Sequence, residues 1–283
     1  MSTVKVLSWN VNGRAGDRAK RQIDAVLEVS PDVIALQEIT TGTELLWRDR
    51  LQRADYFVES TVDLLAVPYP PRPYSSPPFP PRPFNNDIRR KYANLIAARG
   101  PISRLPGLSF ADEPSLAWPE KHLAASVTID GRPTRIHNAH LPPGSSRGLL
   151  KMYAFEAICA RLEADVGHPT VLCGDFNAPL KETAERPEYV DRTAWREHAA
   201  RFRDAEASVI EHKWLRDAYV HKPGQSFPVT HFTRGETPHR YDHIFVSREL
   251  EVTGCKHTSE WLRDGLSDHA AVLVTIEVRP WLA

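Results

Sequence analysis

Thr170-Val171-Leu172-Cys173-Gly174-Asp175-Phe176-Asn177 is the stretch on which the fold turns. An apolar, β-branched run leads straight into a glycine and a carboxylate, which reads as a buried strand delivering an acid at its end. An unpaired buried carboxylate is costly, so Asp175 needs a cation, a hydrogen-bond network or a chemical task. Ser267-Asp268-His269 is a second motif of this kind, set just before the run Ala270-Ala271-Val272-Leu273-Val274.

Outward from these two motifs, strand-like runs recur at Val4–Trp9, Val33–Gln37, Ala93–Ala97, Ala124–Ile129, Thr134–Asn138, Tyr241–Val246, Val252–His257 and Ala270–Val278. Helical periodicity separates some of them. Asp17–Glu28 places Ile23, Val26 and Leu27 on one face and is stopped by Pro31. Ser145–Asp165 carries Leu149, Tyr153, Ile158 and Leu162, with Ser145 or Ser146 as the N-cap. Strands interleaved with helices predict an α/β fold of two sheets flanked by helices. No Pro/Gly linker divides the chain, so residues 1–283 read as one domain with two insertions. The first, residues 68–84, repeats Tyr69-Pro70-Pro71-Arg72-Pro73-Tyr74 as Phe79-Pro80-Pro81-Arg82-Pro83-Phe84. Such proline density excludes helix and central strand and favours extended polyproline II. The second, residues 188–216, is a charged helical stretch whose mixed surface reads as a solvated face.

Composition narrows the field. Lys+Arg and Asp+Glu both number 36, so no global field draws the chain to nucleic acid and only a local basic patch could do so. Three scattered cysteines make neither a disulfide framework nor a zinc signature. No stretch reaches membrane-spanning length. Met1 runs directly into an alternating strand, with no secretory signal pattern, so a reduced, cytoplasmic setting is expected.

Further motifs share the placement of the first two: Trp9-Asn10-Val11-Asn12-Gly13, Leu36-Gln37-Glu38, Asn138-Ala139-His140-Leu141 and Arg240-Tyr241-Asp242-His243-Ile244. Residues at strand ends can converge on one rim of a sheet core. The donors gathered are carboxylates (Glu38, Asp175, Asp268), carboxamides (Asn10, Asn12, Asn177) and two histidines. Hard oxygen donors suit Mg²⁺, with Mn²⁺ as a substitute. Zinc is disfavoured because no His/Cys cluster has ligand spacing.

Order and residues together resemble the endonuclease/exonuclease/phosphatase superfamily over nearly the whole chain. Ala93-Asn94-Leu95-Ile96-Ala97-Ala98-Arg99-Gly100-Pro101-Ile102 is similar to that family's mid-chain strand. The resemblance implies a four-layer α/β sandwich, with two packed mixed sheets flanked by helices, and divalent-metal phosphoester hydrolysis. It implies metal-binding roles for Glu38, Asn10 and Asp268, and catalytic roles for Asp175, Asn177, His140, His269 and its orienting acid Asp242. Asn12 falls where some members carry aspartate, and its neutral amide weakens a metal-ligand role. The acidic partner that some relatives give the equivalent of His140 has no counterpart in this sequence. His231, His239 and His243 read as scaffolding beside the motifs.

The favoured reading is a nuclease acting on nucleic acid, with Arg72 and Arg82 of the proline-rich repeat as substrate-binding residues and Arg89-Arg90-Lys91 as a basic cluster. Neutral overall charge counts against it, since phosphate contacts dominate nucleic-acid affinity. The alternatives are a phosphatase or phosphodiesterase for a small or lipid-linked phosphoester, and an inactive binding module on the same fold. The intact acids and His269 argue against the last. No protein partner is inferred.

Overall fold

The computed structural model describes residues 3–66, 91–107, 119–129, 131–141, 144–177, 204, 209, 214–222, 226–233 and 237–278, with backbone alone for 144–150, 152 and 153. The repeat at 68–84 with Arg72 and Arg82, Arg89 and Arg90, and most of 188–216 lie outside the described residues.

In chain order the strands are β1 (Thr3–Asn10), β2 (Val33–Ile39), β3 (Phe57–Ser60), β4 (Ala93–Ala98), β5 (Ile102–Arg104), β6 (His122–Ile129), β7 (Arg132–His140), β8 (Thr170–Asp175), β9 (Leu215–Asp217), β10 (His231–Phe232), β11 (Pro238–His239), β12 (Asp242–Ser247), β13 (Leu250–His257) and β14 (Val272–Val278). They form two six-stranded sheets, ordered β13-β14-β1-β2-β4-β3 and β5-β6-β7-β8-β12-β9, plus the β10-β11 ribbon. Both large sheets are mixed, since β1–β2 and β7–β8 are parallel and the other pairs antiparallel.

Alternation explains why the runs look apolar throughout. Val4 and Val6 of β1, Val33 and Ala35 of β2, Val171 and Cys173 of β8, and Ile244 and Val246 of β12 meet between the sheets. Their neighbours Leu7, Trp9, Ile34 and Leu36 face outward onto Ile23 and Val26 of α1 (Gly16–Val29) and Trp47 and Leu51 of α2 (Glu44–Arg53). On the other side Leu172 and Phe245 meet Phe155, Ile158 and Leu162 of α3 (Gly144–Ala164). A strand covered on both faces is apolar at every position. These layers make the expected four-layer sandwich.

The helix α2 has no counterpart among the expected elements, because only Trp47 and Leu51 of it are fully buried and the rest is largely charged. α3 starts at Gly144, so Ser145 and Ser146 fall in its first turn rather than at the cap. Leu215 and Arg216, at the end of the expected helical insertion, belong to β9.

The inward stripe changes character along each strand. Val4 and Val6 give way to Ser8 and Asn10, Val33 and Ala35 to Gln37, Ile136 to Asn138 and His140, and Cys173 to Asp175. A buried amide network closes the apolar part. Gln37 Nε2 donates to Asn138 Oδ1 at 2.8 Å, and Asn138 Nδ2 donates to the Leu36 and Leu95 carbonyls at 2.9 Å each. Above this network lies a polar mouth between the sheets.

Gly174 makes that mouth geometrically feasible. Its φ is +142°, and a Cβ there would lie 1.8 Å from the Ala139 carbonyl oxygen across the parallel β7–β8 pair. Gly174→Ala is expected to destabilise the fold by about 3 kcal/mol or more, since backbone must move and an unfavoured φ must be held. Urea unfolding measures this. A midpoint equal to that of the parent would refute the close-approach argument.

Candidate active site

Asn10, Glu38, His140, Asp175, Asn177, Asp242 and His269 come together at the polar mouth. Asn10, His140 and Asp175 end β1, β7 and β8. Asp242 begins β12, and antiparallel pairing sets it opposite Asp175. Parallel pairing sets His140 opposite Asp175 on the other side. Glu38 lies inside β2 at φ +63°, where the β2–β4 register shifts between Leu36 and Ile39. That local break turns its carboxylate toward the mouth, next to His140.

Asp175 is the hub. Asn10 Nδ2 donates to its Oδ2 at 3.0 Å, the Asn177 backbone N–H donates to its Oδ1 at 2.8 Å, and Asn177 Nδ2 reaches Oδ2 at 3.2 Å. His140 Nε2 and His269 Nε2 each lie 3.8 Å from the same Oδ2. Burial raises the Asp175 carboxyl to about 7 against the pull of His269, with Asp242 adding to the rise.

His269 Nδ1 lies 2.8 Å from Asp242 Oδ2, and its backbone carbonyl accepts the Trp9 indole N–H at 2.9 Å. Burial opposes the imidazolium, but Asp242 and Asp175 outweigh it and raise His269 to about 10. Thr230 Oγ1 accepts the Tyr241 and Asp242 N–H groups at 2.9 and 3.2 Å, holding the start of β12 in place.

Glu38 Oε1 lies 3.6 Å from His140 Nε2. Burial raises the Glu38 carboxyl, Lys121 and His269 oppose the shift, and Asp268 adds to it. Asp268 is exposed, and its Oδ1 lies 3.4 Å from Ser267 Oγ, which donates to the Asn10 carbonyl at 2.7 Å. Glu38, whose charge is disfavoured by burial and by the Asp268 carboxylate, and Asp268, which is open to solvent, are hard oxygen donors that could hold a divalent cation. Asn10 sits between the acids of the site. Its Oδ1 accepts the Asn12 N–H at 2.9 Å and its amide nitrogen faces the carboxylates of Asp175 and Glu38, so it bridges the acids as a donor. Of Asn12, the backbone serves the site.

Asp175, Asp242 and His269 also bring ligand-type atoms within 4.8 Å of one another, a set that could hold a cation. The His269–Asp242 bond already engages Nδ1 there, so an ion in that position would displace a buried charge-assisted hydrogen bond. Among the described residues, the carboxylates of Glu38 and Asp268 accept only from the neutral Asn10 amide and Ser267 hydroxyl, so an ion there would displace no bond between two charged groups.

Two neighbours of the site, Lys121 and Lys151, escaped sequence reasoning, and a third, His231, was expected only as scaffolding. Lys121, in the turn before β6, reaches His140 Nδ1 at 2.9 Å. Lys151 of α3 is fully buried and donates to the Asn177 carbonyl at 2.5 Å, supporting a residue held at φ +49°. His231 stacks on His269 with ring centroids 4.4 Å apart, and its Nδ1 lies 3.0 Å from the Asp268 carbonyl. Proximity in sequence to a motif marked His231 no more than it marked His243, which is a brace between Asp217 and the Arg240 carbonyl. From His231 the stacking continues to Tyr241 at 5.5 Å and on to His239 at 4.9 Å.

A family model described as the Endonuclease/Exonuclease/phosphatase family matches residues 7–269. No curated protein matches the chain. Among solved structures, TDP2 of D. rerio complexed with a single-strand DNA product is similar, with a TM-score of 0.65 at 15% identity, 98% of this chain and 100% of that one being covered. The 3′ phosphatase NExo from Neisseria, bound to a product DNA hairpin, has a TM-score of 0.64 at 20% identity over 98% and 100%. An AP endonuclease from Archaeoglobus fulgidus has a TM-score of 0.64 at 17% identity over 97% and 100%. At these identities the likeness is one of fold.

Proposed function

This chain belongs to the endonuclease/exonuclease/phosphatase family, whose members are metal-dependent phosphoester hydrolases, and from that premise we propose that it is a nuclease. It cleaves phosphodiester bonds of nucleic acid by attack of an activated water, with Mg²⁺ or Mn²⁺ as cofactor. The observation that carries the nuclease reading is the ring column His269–His231–Tyr241–His239. It leads from the reacting histidine toward the β10–β11 ribbon, and since its inner rings are stacked on one another, a nucleobase would extend the column at its His239 end, a stacked base being worth about 1–3 kcal/mol. DNA is the molecule bound in the TDP2 and NExo structures named above.

Glu38 and Asp268 would hold the ion, and Asn10 would align Glu38 with Asp175. When bound, the ion supplies Lewis-acid polarisation of the phosphate oxygens. Asp242 fixes His269 so that Nε2 faces the site next to Asp175 Oδ2; the His269 imidazolium holds the attacking water and Asp175, raised to about 7, takes its proton. Asn177, braced by Lys151, and His140 stabilise the charge that develops on the phosphoryl group. A cytoplasmic setting belongs to the same proposal. All three cysteines are free thiols, and among the described residues no helix is long and apolar enough to cross a membrane.

Balanced charge, with 36 basic and 36 acidic residues, favours the second reading, a phosphatase for small phosphoesters. Incubation with Mg²⁺ and, separately, single-stranded DNA, duplex DNA, RNA and p-nitrophenyl phosphate decides between them. Chain cleavage of a nucleic acid is the expected result. Hydrolysis of the monoester alone would replace the nuclease by the phosphatase.

A further inference from the structure

Lys121 Nζ lies 2.9 Å from His140 Nδ1. An ammonium group can only donate, so Nδ1 is the acceptor and the ring proton sits on Nε2. Nε2 is the nitrogen that looks into the site, 3.6 Å from Glu38 Oε1 and 3.8 Å from Asp175 Oδ2. An acidic partner on Nδ1 would have made His140 a proton-holding cation. A lysine there does the reverse, leaving a neutral ring with its one proton on Nε2, on the side of Glu38 and Asp175. Alone, such a ring is a poor acid, because losing that proton would leave an imidazolate.

Lys121 is held for one purpose by several groups. Asn94 Nδ2 donates to the Lys121 carbonyl and to the Asn138 carbonyl, both at 2.9 Å, so one amide sets the lysine's backbone against the strand that carries His140. The Tyr92 ring lies 5.4 Å from the ammonium. Tyr92 in turn packs on Gly13, where φ is +52° and a Cβ would approach Tyr92 Cε1 to 2.7 Å. The lysine therefore sits in a walled place with its nitrogen aimed at one atom.

We propose that Lys121 is the proton source for the departing oxygen, acting through His140. As the P–O bond breaks and its electron pair goes to the leaving oxygen, the His140 Nε2 proton passes to that oxygen. An ammonium proton of Lys121 passes to Nδ1 in the same event. The products are a neutral alcohol, a neutral amine and a neutral His140 in its other tautomer, so charge balances and no imidazolate forms. For the next turnover Nδ1 returns its proton to Lys121 as Nε2 takes one from solvent, which restores the ammonium and the starting tautomer.

The inference rests on the nuclease reading, and leaving-group chemistry separates the two. Wild type, Lys121→Met and Lys121→Arg are compared with Mg²⁺ on a single-stranded DNA oligonucleotide and on thymidine 5′-(p-nitrophenyl phosphate). The oligonucleotide expels an alkoxide, which needs a proton, whereas p-nitrophenolate leaves without one. Lys121→Met should lower kcat on the oligonucleotide by about 10²–10⁴-fold, the worth of general acid help, and on the activated ester by less than about tenfold. Lys121→Arg should not restore the oligonucleotide rate, because a guanidinium keeps the charge but does not release a proton. The ratio of the two losses is read within one preparation, so a lower folded fraction cancels. Equal losses on both substrates, or full rescue by arginine, would overturn the relay and leave Lys121 as a fixed charge. A wild type that cuts neither substrate would sink the nuclease reading instead.

Discussion

Replacing His269 by alanine, or Asp175 by asparagine, should lower kcat by about 10²–10⁴-fold, the range that general acid–base help supplies. The two residues are expected to fail together rather than in sequence. Their Nε2 and Oδ2 atoms lie 3.8 Å apart with Asp242 tethering the far side of the ring at 2.8 Å, so the proposed mechanism has both serve one water. Once either is lost the water is no longer both held and deprotonated, and the double variant should be little worse than the worse single one. Single-turnover rates on the substrate that the wild type cleaves check this, with unfolding midpoints to show that the variants fold. Asp175→Asn keeps the volume but turns one of two acceptors into a donor facing Asn10 or Asn177, which is why the midpoints are needed. Additive losses would mean that the two residues act in separate steps, and losses below tenfold would remove them from the chemistry.

Chelation should bring turnover down by about 10³-fold or more, because Lewis-acid stabilisation is worth several kcal/mol and each 1.4 kcal/mol is tenfold. Glu38→Gln should reproduce much of that loss at ordinary Mg²⁺. The amide keeps the volume of a side chain set at φ +63° and removes the charge that the ion would neutralise. Calorimetric titration with Mn²⁺ should show weakened binding in this variant, and raised Mn²⁺ should recover part of the rate. If Asp242→Asn weakened Mn²⁺ binding while Glu38→Gln did not, the ion would belong to the Asp175–Asp242–His269 set instead.

Much of this protein is readable in one dimension. The continuous apolar runs follow from strands covered on both faces, and their number and order imply two sheets with helices outside. The identity of the donors is readable too, because carboxylates, amides and histidines at the ends of such runs have few other reasons to be there. What the sequence alone determined was which residues stand at the rim. Which of them meet was decided by tertiary structure. Asn10 and Asp175 are 165 positions apart, and the Trp9 indole bonds a carbonyl 260 positions away. A strand that is apolar at every position carries no mark of its partner's register, so the pairing of Asp175 with both His140 and Asp242 exists only once the strands are hydrogen-bonded. The same holds for Lys121, a lysine in a turn until the β6–β7 pairing of His122 with Ala139 brings it beside His140. α2 stayed hidden for a related reason, since two fully buried residues, Trp47 and Leu51, are enough to dock a helix but too few to show a period.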